Sequence, residues 1–214
     1  MVVIHYTAMA TAEAALARLR DPAAEVSAHY LIAEDGRVWR LVAETRRAWH
    51  AGRAAWGGET DVNSRSVGIE LANPGDAPFP EPQMAALERL LAALAARWPI
   101  PPERVLGHAC VAPDRKRDPG GRFDWRRLAR GGFAVWLDPP YGAPEPGGEA
   151  GPDAFAAAAR RFGYGDAPGA LAAFRRRFRP FADPHAPLTG ADVAHLSALA
   201  ARWPALRAAP SGAT

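Results

Sequence analysis

The chain reads as an α/β unit followed by a small all-helical one, and three observations predict this. Strand and helix signals alternate over residues 1–137, a proline- and glycine-rich stretch interrupts them at 138–152, and only helical periodicity follows over 153–207, before a short tail at 208–214. With 214 residues there is room for one ordinary domain and a smaller companion. Hydrophobic residues at 49% and charged residues at 23% exclude a wholly disordered or collagen-like chain. No apolar run approaches the length of a membrane-spanning helix.

The elements follow in order. Val2 to Tyr6 is a buried-strand pattern that begins at once, with no basic, apolar leader before it. Thr11 suits the N-cap of a short helix over Ala12 to Leu19, with Glu13 in its first turn. His29 to Ala33 and Arg37 to Val42 flank Asp35-Gly36, a strong hairpin signal. Ser66 to Leu71 is a further strand. Pro80-Glu81 opens a long helix with Met84, Leu87, Leu91, Leu94 and Trp98 on one stripe, ended by Pro99. Val105-Leu106 is a short strand, and Asp124 to Ala129 a helical turn. Beyond the linker, stripes of Phe155, Ala158, Ala159 and Phe162, of Leu171, Phe174 and Phe178, and of Val193, Leu196, Leu199 and Trp203 predict three helices, the last capped by Thr189. Trp98 and Trp203 are expected in the core, and Arg175-Arg176-Arg177 is expected on a solvated helix face.

The formal net charge of +3 is too weak to select an anionic partner. The division of the cations says more: Lys116 is the sole lysine among 26 basic residues. Arginine cannot replace a compact ammonium, so a single lysine retained in an arginine-rich chain asks for a reason. One cysteine, Cys110, excludes a disulfide within the chain and reads as a small buried residue.

Candidate chemistry sits in four places. Strand alternation puts Glu70 on a face with Ser66, Gly68 and Ala72, whose small side chains leave space above it. Read singly, Glu70 is a surface glutamate, His5 a core histidine and Asp118, before Pro119-Gly120, a turn aspartate. His108 follows a strand end, where functional loops begin. Together His5, His108 and Asp118 supply two imidazoles and a carboxylate, the ligand set of a catalytic zinc with one position open to water. The spacing between His5 and His108 is not diagnostic by itself.

These motifs carry a family resemblance. Ile4-His5-Tyr6-Thr7, Ser27-Ala28-His29-Tyr30-Leu31-Ile32, Asp35-Gly36, Ala48-Trp49-His50-Ala51-Gly52, Asn63 with Ser66-Val67-Gly68-Ile69-Glu70-Leu71, Gly107-His108 with Ala112-Pro113, and Lys116 with Asp118-Pro119-Gly120 occur in this order. The chain from Val2 to Leu128 resembles the zinc N-acetylmuramoyl-L-alanine amidases of the amidase-2 and peptidoglycan recognition protein family. Residues 151–207 resemble the helical peptidoglycan-binding domain that follows in envelope members. The resemblance implies a mixed central β-sheet flanked by helices, plus a small three-helix C-terminal domain. It implies one Zn2+ on His5, His108 and Asp118, Glu70 as general base and Lys116 as oxyanion stabiliser. The implied reaction cleaves the amide between the lactyl group of N-acetylmuramic acid and L-alanine of the stem peptide.

Other residues are placed less sharply. Trp49, His50, Trp56 and Asn63 are candidate substrate contacts, Trp56 as a loop residue that stacks on sugar or lines the peptide groove. His50 reads equally as structural. His29 reads as structural and stands as the substitute ligand for His5. Two other functions stay open at this point: a recognition protein that binds peptidoglycan without cleaving it, and a zinc peptidase acting within the stem peptide. The expected partner is peptidoglycan or its muropeptide fragments, not nucleic acid, and the expected state is a monomer. The binding-like C-terminal segment favours the periplasm or cell envelope, with the cytoplasm as the alternative.

Overall fold

The computed structural model describes residues 1–140 and 151–205. Most of the expected 138–152 linker and the tail beyond 205 lie outside the described residues. Five strands form one sheet in the order β3-β2-β4-β1-β5: β1 (Val2–Tyr6), β2 (Tyr30–Ile32), β3 (Val38–Arg40), β4 (Val67–Leu71) and β5 (Val105–Gly107). β1 runs parallel to both β4 and β5, β2 runs parallel to β4, and β3 closes one edge antiparallel to β2. The sheet is therefore mixed, with the hairpin that Asp35-Gly36 predicts supplying its antiparallel edge. Gly36 turns there with φ +87°, and a Cβ at that position would lie 2.7 Å from the Pro82 carbonyl oxygen.

Over β1, β2, β4 and β5 one face of the sheet is apolar. Val2, Ile4, Ile32, Val67, Ile69 and Leu71 are at most 5% exposed and pack under α2 (Glu81–Arg97) through Met84, Leu87, Leu91 and Leu94. Gln83 fastens that helix by donating from Nε2 to the carbonyls of Ile32 (2.9 Å) and Ala72 (3.0 Å), one at the end of β2 and one just past β4. Trp98 is not in this core. It stands at the end of α2, 36% exposed, and its indole N–H donates to Glu44, which also binds Arg97. The stripe has already turned away from the sheet where Pro99 stops the helix.

The opposite face is divided. Near β5 it is covered by the short helix α3 (His108–Val111) and by α5 (Pro152–Phe162), α6 (Ala170–Phe178) and α7 (Gly190–Arg202). Val3 and Leu106 share one buried cluster with Phe155, Phe162, Phe174 and Leu199. The remainder of that face, beside α1 (Ala12–Arg20), stays open as a groove. Thr11 caps α1 by accepting from the Ala14 amide, and Thr189 forms a full capping box with Asp192 at the start of α7.

The arginine run of α6 departs from its expected solvated setting. Arg175 and Arg177 are each 2% exposed. Arg175 donates from Nε to Asp192 Oδ1 at 3.1 Å and also binds the carbonyls of Asp183, Ala186 and Pro187. Asp192 is fully buried. Burial pushes its carboxyl up, but the bonds from Arg175 and Thr189 outweigh this and hold it well below the usual carboxylate range. Removing one member of such a pair strands the other charge. Arg175→Met is expected to cost about 3–5 kcal/mol in urea unfolding, and adding Asp192→Leu is not expected to restore it, because Asp192 also holds Arg179 and the Thr189 capping box.

Candidate metal centre

The functional side chains converge at the carboxyl ends of parallel strands, the edge where open α/β sheets bind ligands. His5 lies on β1 opposite Glu70 on β4, so both point to the open face. His108 follows directly on β5. Asp118 comes from the loop beyond α3, which the Ala109 amide holds by donating to the Asp118 carbonyl at 2.8 Å. The three groups meet closely. His5 Nδ1 is 2.9 Å from His108 Nδ1, and Asp118 Oδ2 is 3.0 and 3.1 Å from the two. All three residues are buried.

Surrounding hydrogen bonds fix which ring nitrogens carry protons. His108 Nε2 faces the Ala51 carbonyl at 3.0 Å, so it is the donor and Nδ1 keeps its lone pair. For His5 the argument runs through a relay. Ser66 Oγ donates to the Val62 carbonyl, so it accepts from His50 Nε2 at 3.3 Å. His50 Nδ1 is then an acceptor, and His5 Nε2–H donates to it at 3.1 Å. His5 Nδ1 is left unprotonated. Two imidazole lone pairs and a carboxylate oxygen thus face one point without a donor among them. That arrangement fits a cation, and the set of two His and one Asp is a single zinc-type site.

The electrostatics agree with neutral histidines. Burial, reinforced by His108, lowers His5 to about 4. Burial, then His5, pushes His50 well below its ordinary value. Burial pushes Asp118 up, but hydrogen bonds from His108 and His5 prevail and hold its carboxyl low. The His5 imidazole stays available as a ligand, and the Asp118 carboxylate stays ionised.

The centre forms the floor of a groove of about 450 Å3 lined by His5, Glu70, His108, Lys116 and Asp118, with Trp49 on its rim. Among the described residues Glu70 Oε2 is buried without a hydrogen-bond partner. Burial, then the Asp118 charge, raises its carboxyl to about 8, with Lys116 opposing. Lys116 lines this groove and the adjoining cavity, and among the described residues it has no salt-bridge partner.

The expected substrate contacts separate. Trp49 is 55% exposed between the two cavities. His50 reaches the groove but is occupied in orienting His5. Asn63 lies under it, its Oδ1 accepting from the His50 and Ala51 amides at 3.1 and 2.8 Å. Trp56 is corrected: it is 1% exposed, edge-on to Phe162 and Tyr164, and serves the packing of the C-terminal helices. The small-residue face is corrected as well. A Cβ on Gly68 would lie 2.3 Å from the His50 ring, so the space over β4 admits an imidazole instead of a ligand. His29 accepts from the Gly68 amide at 2.9 Å, which places it in the framework. Sequence reasoning did not find the Ser66–His50–His5 relay; the nearest signal was two histidines within motifs of the same family. Because His50 sets the His5 tautomer, His50→Ala is expected to weaken zinc binding about 10- to 100-fold, read by competition with a chromophoric chelator.

Comparison with known proteins places this site. The family model described as N-acetylmuramoyl-L-alanine amidase (Amidase_2) matches residues 1–121. The N-acetylmuramoyl-L-alanine amidase AmiD of Escherichia coli K12 is 43% identical over 154 residues, covering 64% of this chain and 55% of that protein. The chain thus spans about half the length of the curated relatives it matches. The solved complex of E. coli AmiD with the substrate anhydro-N-acetylmuramic acid-L-Ala-D-γ-Glu-L-Lys superposes with a TM-score of 0.84 at 34% identity, over 95% of this chain and 89% of that one. AmpDh3 of Pseudomonas aeruginosa, bound to an anhydromuramic pentapeptide, superposes with a TM-score of 0.86 at 30% identity, over 95% and 92%. A match over more than half its length, carrying the His5–His108–Asp118 centre, shows that this chain belongs to the Amidase_2 family of N-acetylmuramoyl-L-alanine amidases.

Proposed function

We propose that the chain hydrolyses the amide joining the lactyl group of N-acetylmuramic acid to L-alanine of the peptidoglycan stem peptide. The observation that carries this reading is the donor-free convergence of His5, His108 and Asp118 on the floor of a groove that Glu70 and Lys116 also line. The muramyl peptides held by the similar AmiD and AmpDh3 structures support the substrate class.

When bound, zinc supplies Lewis acidity, polarising the scissile carbonyl and lowering the pKa of water beside it. The protein residues divide the remaining work. Glu70, with an oxygen free of other partners, takes the proton of the attacking water and returns it to the leaving amine. The Lys116 ammonium, which lines the same groove, would stabilise the negative charge that develops on the former carbonyl oxygen. His50, Ser66 and Asn63 hold the ligand imidazoles and the adjoining backbone in position.

Placement in the periplasm or cell envelope, as a monomer, completes the proposal. The family resemblance of the C-terminal helices to a peptidoglycan-binding unit supports the placement. Cell fractionation and light scattering test these two points.

Mass analysis of muropeptides after incubation tests the reaction. Free stem peptide with an intact N-terminal alanine is expected, abolished by chelator and restored by zinc; a cut within the peptide would overturn the reading. Glu70→Gln is expected to lower kcat by about 10²- to 10⁴-fold with zinc retained. Glu70 must be ionised to act, so kcat/KM falls as pH drops through its pKa. Its buried setting raises that value from 4.5 to about 8, and a bound dication opposes the rise, so the acidic limb is expected between these values. Lys116→Arg is expected to lose most activity while keeping zinc, since the guanidinium differs in shape and reach.

A further inference from the structure

Arg177 carries a charge that no part of the proposed reaction uses. It lies on α6, 2% exposed, between the C-terminal helices and the sheet. Among the described residues no carboxylate pairs with it. Its guanidinium instead lies 4.2 Å from the Trp125 ring centroid and 4.8 Å from that of Phe178. Nη2 donates to the Val105 carbonyl at 3.1 Å, Nη1 reaches Cys110 Sγ at 3.5 Å, and Nε has no partner among the described residues. A buried cation without a counter-ion is costly, and a leucine would fill the same volume without that cost.

The positions of its contacts give the charge a purpose. Val105 and Cys110 bracket His108, three residues before it and two after it. Trp125, which the guanidinium covers, closes on Gly107, where a Cβ would lie 3.2 Å from the indole and 2.6 Å from Pro119. Pro119 directly follows Asp118. One side chain therefore grips the first residue of β5, the helix turn that follows His108, and a ring that closes on Gly107 beside Pro119 of the Asp118 loop. At the other end of the same element, Gly169 lies against the Pro113 carbonyl, where a Cβ would approach to 2.4 Å.

We propose that Arg177 is a positioning residue for the metal centre: through it the C-terminal helices hold His108 and Asp118 in the geometry that binds zinc. This rests on the amidase reading and adds to it a structural duty for the helical segment, distinct from any binding of the cell wall. Lysine keeps the charge but reaches only one of the two acceptors, and methionine keeps the apolar stem and neither.

The test compares wild type, Arg177→Met, Arg177→Lys and Thr189→Ala, the last loosening the same helices without touching β5 or α3. Zinc affinity is read by chelator competition, geometry by the visible spectrum of the cobalt-substituted protein, stability by thermal unfolding, and kcat and KM separately. Arg177→Met is expected to bind zinc about 10-fold more weakly, with an altered cobalt spectrum, a lower kcat and an unchanged KM. Arg177→Lys is expected to lie between it and wild type. Thr189→Ala is expected to lose stability with zinc affinity and spectrum intact. Wild-type zinc affinity and spectrum in Arg177→Met would overturn the proposal, as would equal losses in Thr189→Ala at matched stability. If Arg177→Met does not fold, wild-type affinity and spectrum in Arg177→Lys overturns it instead. A wild-type protein that binds zinc without cleaving muropeptides would sink the amidase reading and leave the positioning role standing.

Discussion

Two imidazole nitrogens and a carboxylate oxygen lie within 3.1 Å of one another with no proton between them, and the surrounding structure is organised to keep them so. Left in water, these groups would turn apart or take up a proton. Here each imidazole is held by its far nitrogen: His108 by the Ala51 carbonyl, and His5 by a relay that ends on the Val62 carbonyl. The relay works only while every member is neutral, and burial ensures that by lowering His5 and His50. A structure that stores convergent lone pairs in this way is prepared for a cation before one arrives.

The sheet makes this possible by giving its two faces different tasks. The face under α2 is continuous hydrocarbon and anchors the strands. The other face can then carry His5 and Glu70 toward its carboxyl edge, groups that would weaken an ordinary core. Parallel pairing of β1 with β4 and β5 brings residues far apart in sequence to one end of the sheet. Glu70 benefits from the same seclusion, since a carboxylate with an unpartnered buried oxygen is a stronger base than one in water.

The C-terminal helices belong to this arrangement as much as to a unit of their own. They share a core with Val3 and Leu106, and Trp56 from the N-terminal segment is embedded among their aromatic residues. Their polar interior follows two different rules. Arg175 neutralises Asp192 within the helices, whereas Arg177 turns outward to the strand and turn that present His108.

Much of the fold could be read along the chain. The five strands, the long helix stopped by Pro99 and the three amphipathic helices follow from local periodicity and capping, which act between near neighbours. The zinc set, Glu70 and Lys116 stood out through residue chemistry and ordered motifs, with the lone lysine as the clearest local signal. Reach and burial were not legible. Trp56 reads as a loop residue until helices from a distant segment cover it, and two arginines of a charged run are buried because aromatic faces and carbonyls await them. Gly68 leaves room for a side chain, but only the folded chain decides that His50 enters it. Sequence alone determined which elements form and which chemical groups are on hand, because both depend on residues and their immediate neighbours. Tertiary structure decided which nitrogen keeps its lone pair, which aromatic meets solvent and which charge is buried, because each depends on partners tens of residues away.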